Sequence, residues 1–375
     1  MAKAYTPGLT IVEKTIIHKE RKLPLKGKVL VKKGQTVKSD DLVAATHLPG
    51  NVYMLNIANL LGCNPNEINA YLVKKEGDSL EIDEVIAETP GLFGKWFKTY
   101  VKSPLKGTIE NISSATGQAV LREPPIPVEV KAYVNGVVEE VIPEEGVVVK
   151  TVGTFIQGIF GIGGEVTGLI HMASKTPDDV LEESHINFDM KGKIIVGGSL
   201  VTAAALKKAV EVGVAGVVVG GYDANDLKEF LGYDIGVAIT GTEKLGITLV
   251  VTEGFGKIRM ADKTFGLLKK VEGKQASING ATQIRAGVIR PEVIVPAKVE
   301  NIHEEKIDHS AKGMFVGTDV RIIRNPHFGE VVKVSELPEQ PVIIPTGAKV
   351  RVVKVKTADG EEILLPRANV EIIEE

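Results

Sequence analysis

The chain has almost no sulfur chemistry to offer. It carries one cysteine, Cys63, in 375 residues. An internal disulfide framework is therefore excluded, and the lone thiol fits a reducing, cytoplasmic setting. Cys63 has no His or Cys beside it, so it reads as apolar filler and not as a nucleophile or metal ligand. Aromatic residues make up only 5% of the chain. No apolar run is long enough to span a bilayer: Phe155 to Met172 is broken by Glu165, and Val214 to Val219 is short. The N-terminal stretch holds Lys14, His18, Lys19, Glu20 and Arg21, so no secretory signal is expected. A net charge of −3 leaves no field for a polyanion.

Signature motifs are missing as well. The histidines (His18, His47, His171, His185, His303, His309 and His327) form no His-Glu-x-x-His pattern and no i, i+4 pair. No Gly-x-x-x-x-Gly-Lys-Ser/Thr loop exists, and no Gly-x-Gly-x-x-Gly opens the first central helix. No catalytic residue, metal or cofactor is expected, which leans away from an enzyme.

What the chain does have is a repeat. Val31-Lys32-Lys33-Gly34 through Val43-Ala44 recurs as Val73-Lys74-Lys75-Glu76-Gly77 through Ile86-Ala87. Each copy reads strand, glycine turn, strand, with Gly34 and Gly77 where positive φ is needed. Pro49-Gly50-Asn51-Val52 follows the first copy, and Ser103-Pro104-Leu105-Lys106-Gly107 the second. Gly107-Thr108-Ile109-Glu110 is echoed by Gly136-Val137-Val138-Glu139. Between the copies, about residues 52–75, one or two short helices are expected.

This pattern resembles the half-motif of biotinyl and lipoyl carrier domains over roughly residues 24–150. The resemblance implies a barrel-sandwich hybrid built from two such halves. It does not imply the cofactor. A carrier lysine sits in a Glu-x-Met-Lys-Met or Asp-Lys-Ala context; Lys95, in Gly91-Leu92-Phe93-Gly94-Lys95-Trp96-Phe97, has other neighbours and reads as a surface lysine. Membrane-fusion adaptors, electron-transport subunits and RNA polymerase inserts resemble this hybrid without a prosthetic group.

After about residue 190 the pattern changes. Lys193 to Val196, Ala215 to Val219, Ile235 to Ile239 and Ile247 to Val251 are apolar strands alternating with helical periodicity. Ser199 and Asp223 are expected helix caps and Gly213 a helix stop. That is a small α/β layer with a mostly parallel sheet. Ligands of such sheets bind beyond the strands' carboxyl ends. Gly197, Gly198, Ser199, Gly220, Gly221, Thr252, Glu253 and Gly254 lie there, where small residues let N–H groups approach a phosphate or nucleotide. Arg285, near Arg290, is a candidate for anion recognition or an interface ion pair. The alternative use of the glycines is tight turns between strand and helix, and Glu253 has no evident acid–base partner.

From about residue 314 short alternating strands return. They suit an SH3-like barrel, and Arg321 to Val334 resembles a KOW module, which implies contact with RNA, ribosome or RNA polymerase. Arg321, Arg324, Lys349 and Arg351 are its candidate contacts. Over residues 312–375, however, nine basic side chains face ten acidic ones. Phosphate neutralisation dominates nucleic-acid affinity, so a protein partner fits at least as well.

The fold class is thus multidomain α+β. Residues 1–150 form a barrel-sandwich-hybrid-like β domain and 151–190 a glycine-rich β connector. Residues 191–300 form the α/β domain, 301–313 a linker and 314–375 the KOW/SH3-like barrel. The first functional reading is a non-catalytic adaptor or scaffold that contacts proteins or self-associates. The alternatives are a phosphate- or nucleotide-binding α/β domain with β attachments, and a ribosome-, polymerase- or RNA-associated factor.

Overall fold

A computed structural model describes residues 9–90, 98–232, 245–282, 289–297 and 314–374, except 325, 328, 329, 339, 345–348, 358 and 359. The chain is β-rich, with several sheets and few helices. Among the described residues no helix is long and apolar enough to cross a membrane.

The N-terminal repeat folds twice over, one copy inside the other. The outer copy lays Thr36–Val37, Gly136–Ile142, Gly146–Gln157 and Leu9–Lys22 side by side. The inner copy repeats that order with Ser79–Leu80, Gly107–Ser113, Gln118–Arg122 and Val52–Asn56. The correspondence reaches single hydrogen bonds. Gly34 N donates to Val138 O and Gly77 N to Ile109 O, each at 2.7 Å. Both glycines have positive φ, +82° and +85°, which spares them the Cβ penalty of that region. Ala132 N reaches Asp41 O and Ser103 N reaches Glu84 O. The Val29–Ala44 pairing recurs as Leu72–Ala87. A bulge recurs at Glu139 and Glu110, and each glutamate pairs across to the neighbouring strand, with Lys150 and Arg122.

Each copy has its own core. Val37, Val43, Val138 and Val149 fill the outer one, and Leu80, Ile86, Ile109 and Leu121 the inner one. Among the described residues no strand of one copy pairs with a strand of the other. The two copies thus build separate sheets with separate cores. Strands from both sides of each repeat complete its copy: the Gly136 and Gly107 segments from the C-terminal side, Leu9–Lys22 and Val52–Asn56 from the N-terminal side. Two short helices lie within 52–75, as expected there. Val52–Asn56 is a strand, and only Ile57–Leu61 and Pro65–Ala70 are helical, the first capped by Asn56 and stopped by Gly62.

The α/β layer sets Glu165–Met172, Ile194–Val196, Gly216–Tyr222 and Thr248–Phe255 in parallel. Phe160–Ile162 joins antiparallel beyond Thr248–Phe255. Side chains alternate along each strand. Val217 and Val219 face one core with Leu206 and Ala209 of the Ala203–Val212 helix. Val218 and Val250 face the other with Phe265 and Leu268 of the Asp262–Lys270 helix. The strands expected as a connector at 151–190 belong to this layer, and Gly146–Gln157 runs unbroken through residues 150 and 151. Glu292–Pro296 pairs with it and with Gln275–Asn279, tying outer copy to layer. The strand expected at 235–239 and the linker 301–313 lie outside the described residues.

The C-terminal unit is an antiparallel set ordered Val370–Glu374, Asp319–Ile322, Val331–Glu336, Val352–Lys356 and Glu362–Pro366. Its core is almost all valine and isoleucine, residues suited to a pleated, half-buried surface. Leu9–Thr10 pairs parallel with Ile373–Glu374, so the first strand also holds the last.

Candidate functional site

The strand-end edge of the α/β layer is where a ligand would be sought. The structure brings Gly197, Gly198, Ser199, Gly220, Gly221, Thr252, Glu253 and Gly254 together there, and then covers them. The loop before Val180 and the segment Gly256–Met260 run across the strand ends. Ser199 N donates to Asp179 O at 2.7 Å and Gly220 N to Gly198 O at 2.8 Å. Ile258 N donates to Ser199 O and Met260 N to Pro177 O. A Cβ on Gly198 would land on Asp179 O, one on Gly220 on Ile258 O and one on Gly221 on Gly256 O. These glycines make room for backbone. The Ser199 and Gly220 N–H groups that a phosphate would need are already spent. Ser199 does not cap the following helix: its hydroxyl donates to Asp178 O, and Thr202 caps through Ala205 N.

Glu253 has a partner that its own neighbourhood in the chain does not reveal. Its side chain is 3% exposed and forms an ion pair with Arg321, which is 1% exposed. Arg321 Nη1 also donates to Thr252 O at 3.2 Å. Glu253 Oε1 accepts from Ala261 N at 3.0 Å, at the start of the Asp262–Lys270 helix, and lies 3.1 Å from Thr252 Oγ1. The C-terminal unit thus inserts a cation into the end of the Thr248–Phe255 strand. The expectation that Arg321 serves an external partner is corrected: it is buried against the layer. Arg324, Lys349 and Arg351 are exposed. Lys349 sits in a separate hairpin with Val342–Ile343, apart from the sheet that holds Arg321. Arg285 lies outside the described residues, as does Lys95.

Beside the ion pair stands an aromatic trio. Phe160 stacks on Tyr222 at 4.8 Å between ring centres, and Phe255 lies 4.9 Å from Tyr222. The Tyr222 hydroxyl is buried without a hydrogen-bond partner, and burial raises its pKa.

No protein-family model matches the chain, and no curated protein is significantly similar to it.

Sequence reasoning missed a second place, a cavity of about 850 Å³ where the outer copy meets the layer. Arg21 grips both Glu165 carboxylate oxygens at 2.6 Å, donates to Lys131 O at 2.7 Å and lies 5.2 Å from the Tyr133 ring centre. Tyr133 sits at φ +70°, a rare conformation for an aromatic residue. Burial, with the Glu292 and Glu165 carboxylates nearby, pushes its hydroxyl pKa well up. Large cavities with convergent polar groups are default ligand sites. Here the cations are matched to carboxylates: Arg21 to Glu165, Lys131 to Asp40 and Lys22 to Glu20. The Arg21–Glu165 pair ties the outer copy to the layer, and the matched charges offer little surplus to a small molecule. Among the described residues no group of three or more His, Cys, Asp or Glu gathers closely enough for a metal.

Proposed function

We propose that this protein is a non-catalytic, modular scaffold that works through protein–protein contacts in the cytoplasm. One observation carries the reading: Arg321 occupies the strand end of the layer and pairs with Glu253, the carboxylate of the Thr252-Glu253-Gly254 turn that chemistry there would use. Covered glycines and internally matched charges at the Arg21 junction support it. We read each nested copy as a relative of the carrier half-motif kept for shape, and the C-terminal set as an SH3-like barrel used to hold the layer.

The test is a thermal-shift screen of the full chain against nucleotides and phosphorylated metabolites. A ligand at 100 times its Kd stabilises the folded state by about 2.7 kcal/mol, an easily read shift. The scaffold reading expects no saturable shift. A saturable shift from any member overturns it in favour of a ligand-binding layer.

A further inference from the structure

The nested copies offer an internal comparison, because the same edge strand occurs twice. In the outer copy it is Leu9–Lys22, which carries Glu13, Lys14, Lys19, Glu20, Arg21 and Lys22, several of them in ion pairs with the rest of the chain, and whose first two residues pair with Ile373–Glu374. Charged side chains, lysine above all, are how proteins keep sheet edges from pairing with other chains. In the inner copy the equivalent strand is Val52–Asn56, and it has no such guard. From Leu48 to Asn66 there is no Asp, Glu, Lys or Arg, in a chain that is 25% charged.

Among the described residues this uncharged edge has no strand on its outer side. Val52–Asn56 pairs only with Gln118–Arg122 among the described residues. Asn51 O accepts from Glu123 N at 2.9 Å. Antiparallel ladders alternate, so Tyr53 and Leu55 bond inward while the N–H and C=O groups of Val52 and Met54 point outward. Their side chains are exposed as well: Val52 50%, Tyr53 47% and Met54 62%.

We propose that this edge pairs with the same edge of a second copy of the chain. The inference rests on the scaffold reading and names the partner. An uncharged strand facing itself meets no like-charge repulsion, which a charged edge would. Antiparallel pairing about a two-fold axis at Met54 uses the outward groups: Met54 bonds to Met54 of the other copy, and Asn56 N–H meets Val52 C=O. Each Tyr53 then lies opposite Leu55 of the other copy, at the rim of the inner core. The two inner sheets become one continuous sheet.

The experiment is light scattering on the full chain across a concentration series, with Met54→Lys beside it. Met54 is exposed, so the lysine disturbs no core. A concentration-dependent dimer is expected, and Met54→Lys weakens it at least about tenfold by setting two ammonium groups together on the axis. A second variant, Met54→Cys in a Cys63→Ser background, tests the geometry. Bonded antiparallel partners have Cα atoms about 5.5 Å apart, within disulfide range. Mild oxidation should give a covalent dimer, while Ile82→Cys in the same background should not. A strict monomer, or a dimer that Met54→Lys leaves intact and Met54→Cys fails to trap, overturns the inference. Neither result touches the scaffold reading, which falls only if the ligand screen gives a saturable shift.

Discussion

Replacing Arg321 with methionine should cost about 3–5 kcal/mol of stability, the range for removing one partner of a buried ion pair. The size follows from what stays behind. Glu253 remains buried, and among the described residues Ala261 N–H and Thr252 Oγ1 are what is left to hydrogen-bond its carboxylate. It must then protonate, draw in water or drag the Asp262–Lys270 helix start with it. Glu253→Gln leaves the converse defect, a guanidinium facing a neutral amide. The double variant removes both charges and should lie well above the sum of the singles, with a coupling energy of about 2 kcal/mol or more. Urea denaturation followed by circular dichroism gives the three differences. Amide exchange at Ala261 and at Val320 to Ile322 localises them. A loss below about 1 kcal/mol for Arg321→Met, or strict additivity in the double variant, would refute the account of the pair as a buried fastener.

The nested copies predict matched defects. Gly107→Ala and Gly136→Ala each put a Cβ onto a carbonyl of the neighbouring strand, Arg122 O and Lys150 O. Both should destabilise by about 1–3 kcal/mol, as overpacking does, measured by thermal unfolding. Gly34→Ala and Gly77→Ala meet open space, so any loss there comes from the positive φ alone. Asp179 gives a pH prediction. Thr176 Oγ1, Thr176 N and Lys175 N donate to its carboxylate and lower its pKa. A depressed carboxylate contributes stability above its unfolded pKa of about 3.9 and loses it as pH falls through the folded value. Asp179→Asn should therefore be less stable than wild type at pH 7, with the gap closing below about pH 4. A pH-independent gap in paired melts would rule that out.

The sequence alone showed the repeat and its glycine turns, because Val37, Leu80, Gly34 and Gly77 occupy equivalent local positions. Nesting was not legible. The echo of Gly107 in Gly136 is visible, but which hairpin each closes depends on pairings far apart in the chain. The short helices between the copies were legible as a region, but the boundary at Asn56 between strand and helix was not, because a short apolar run fits either and periodicity cannot decide below about ten residues. The strand-end glycines were placed at the right edge, yet their purpose depends on Asp179, Gly256 and Ile258 crossing above them. Arg321 was picked out for its charge. Its burial follows only from where the last unit docks, which no local pattern encodes.

The insertion of one copy within the other also dictates an order of events. Outer strands Leu42–Leu48 and Ile126–Lys131 must meet across the whole inner copy. As a floppy loop, that stretch carries the full closure entropy of its length. Once the inner copy has folded, Val52 lies beside Arg122, and the two ends of the stretch are already one strand spacing apart. Shrinking the effective loop from roughly eighty residues to a handful saves about 2–3 kcal/mol of closure entropy. The inner copy is thus a template that must assemble early, and damage to its core should slow the folding of the outer one.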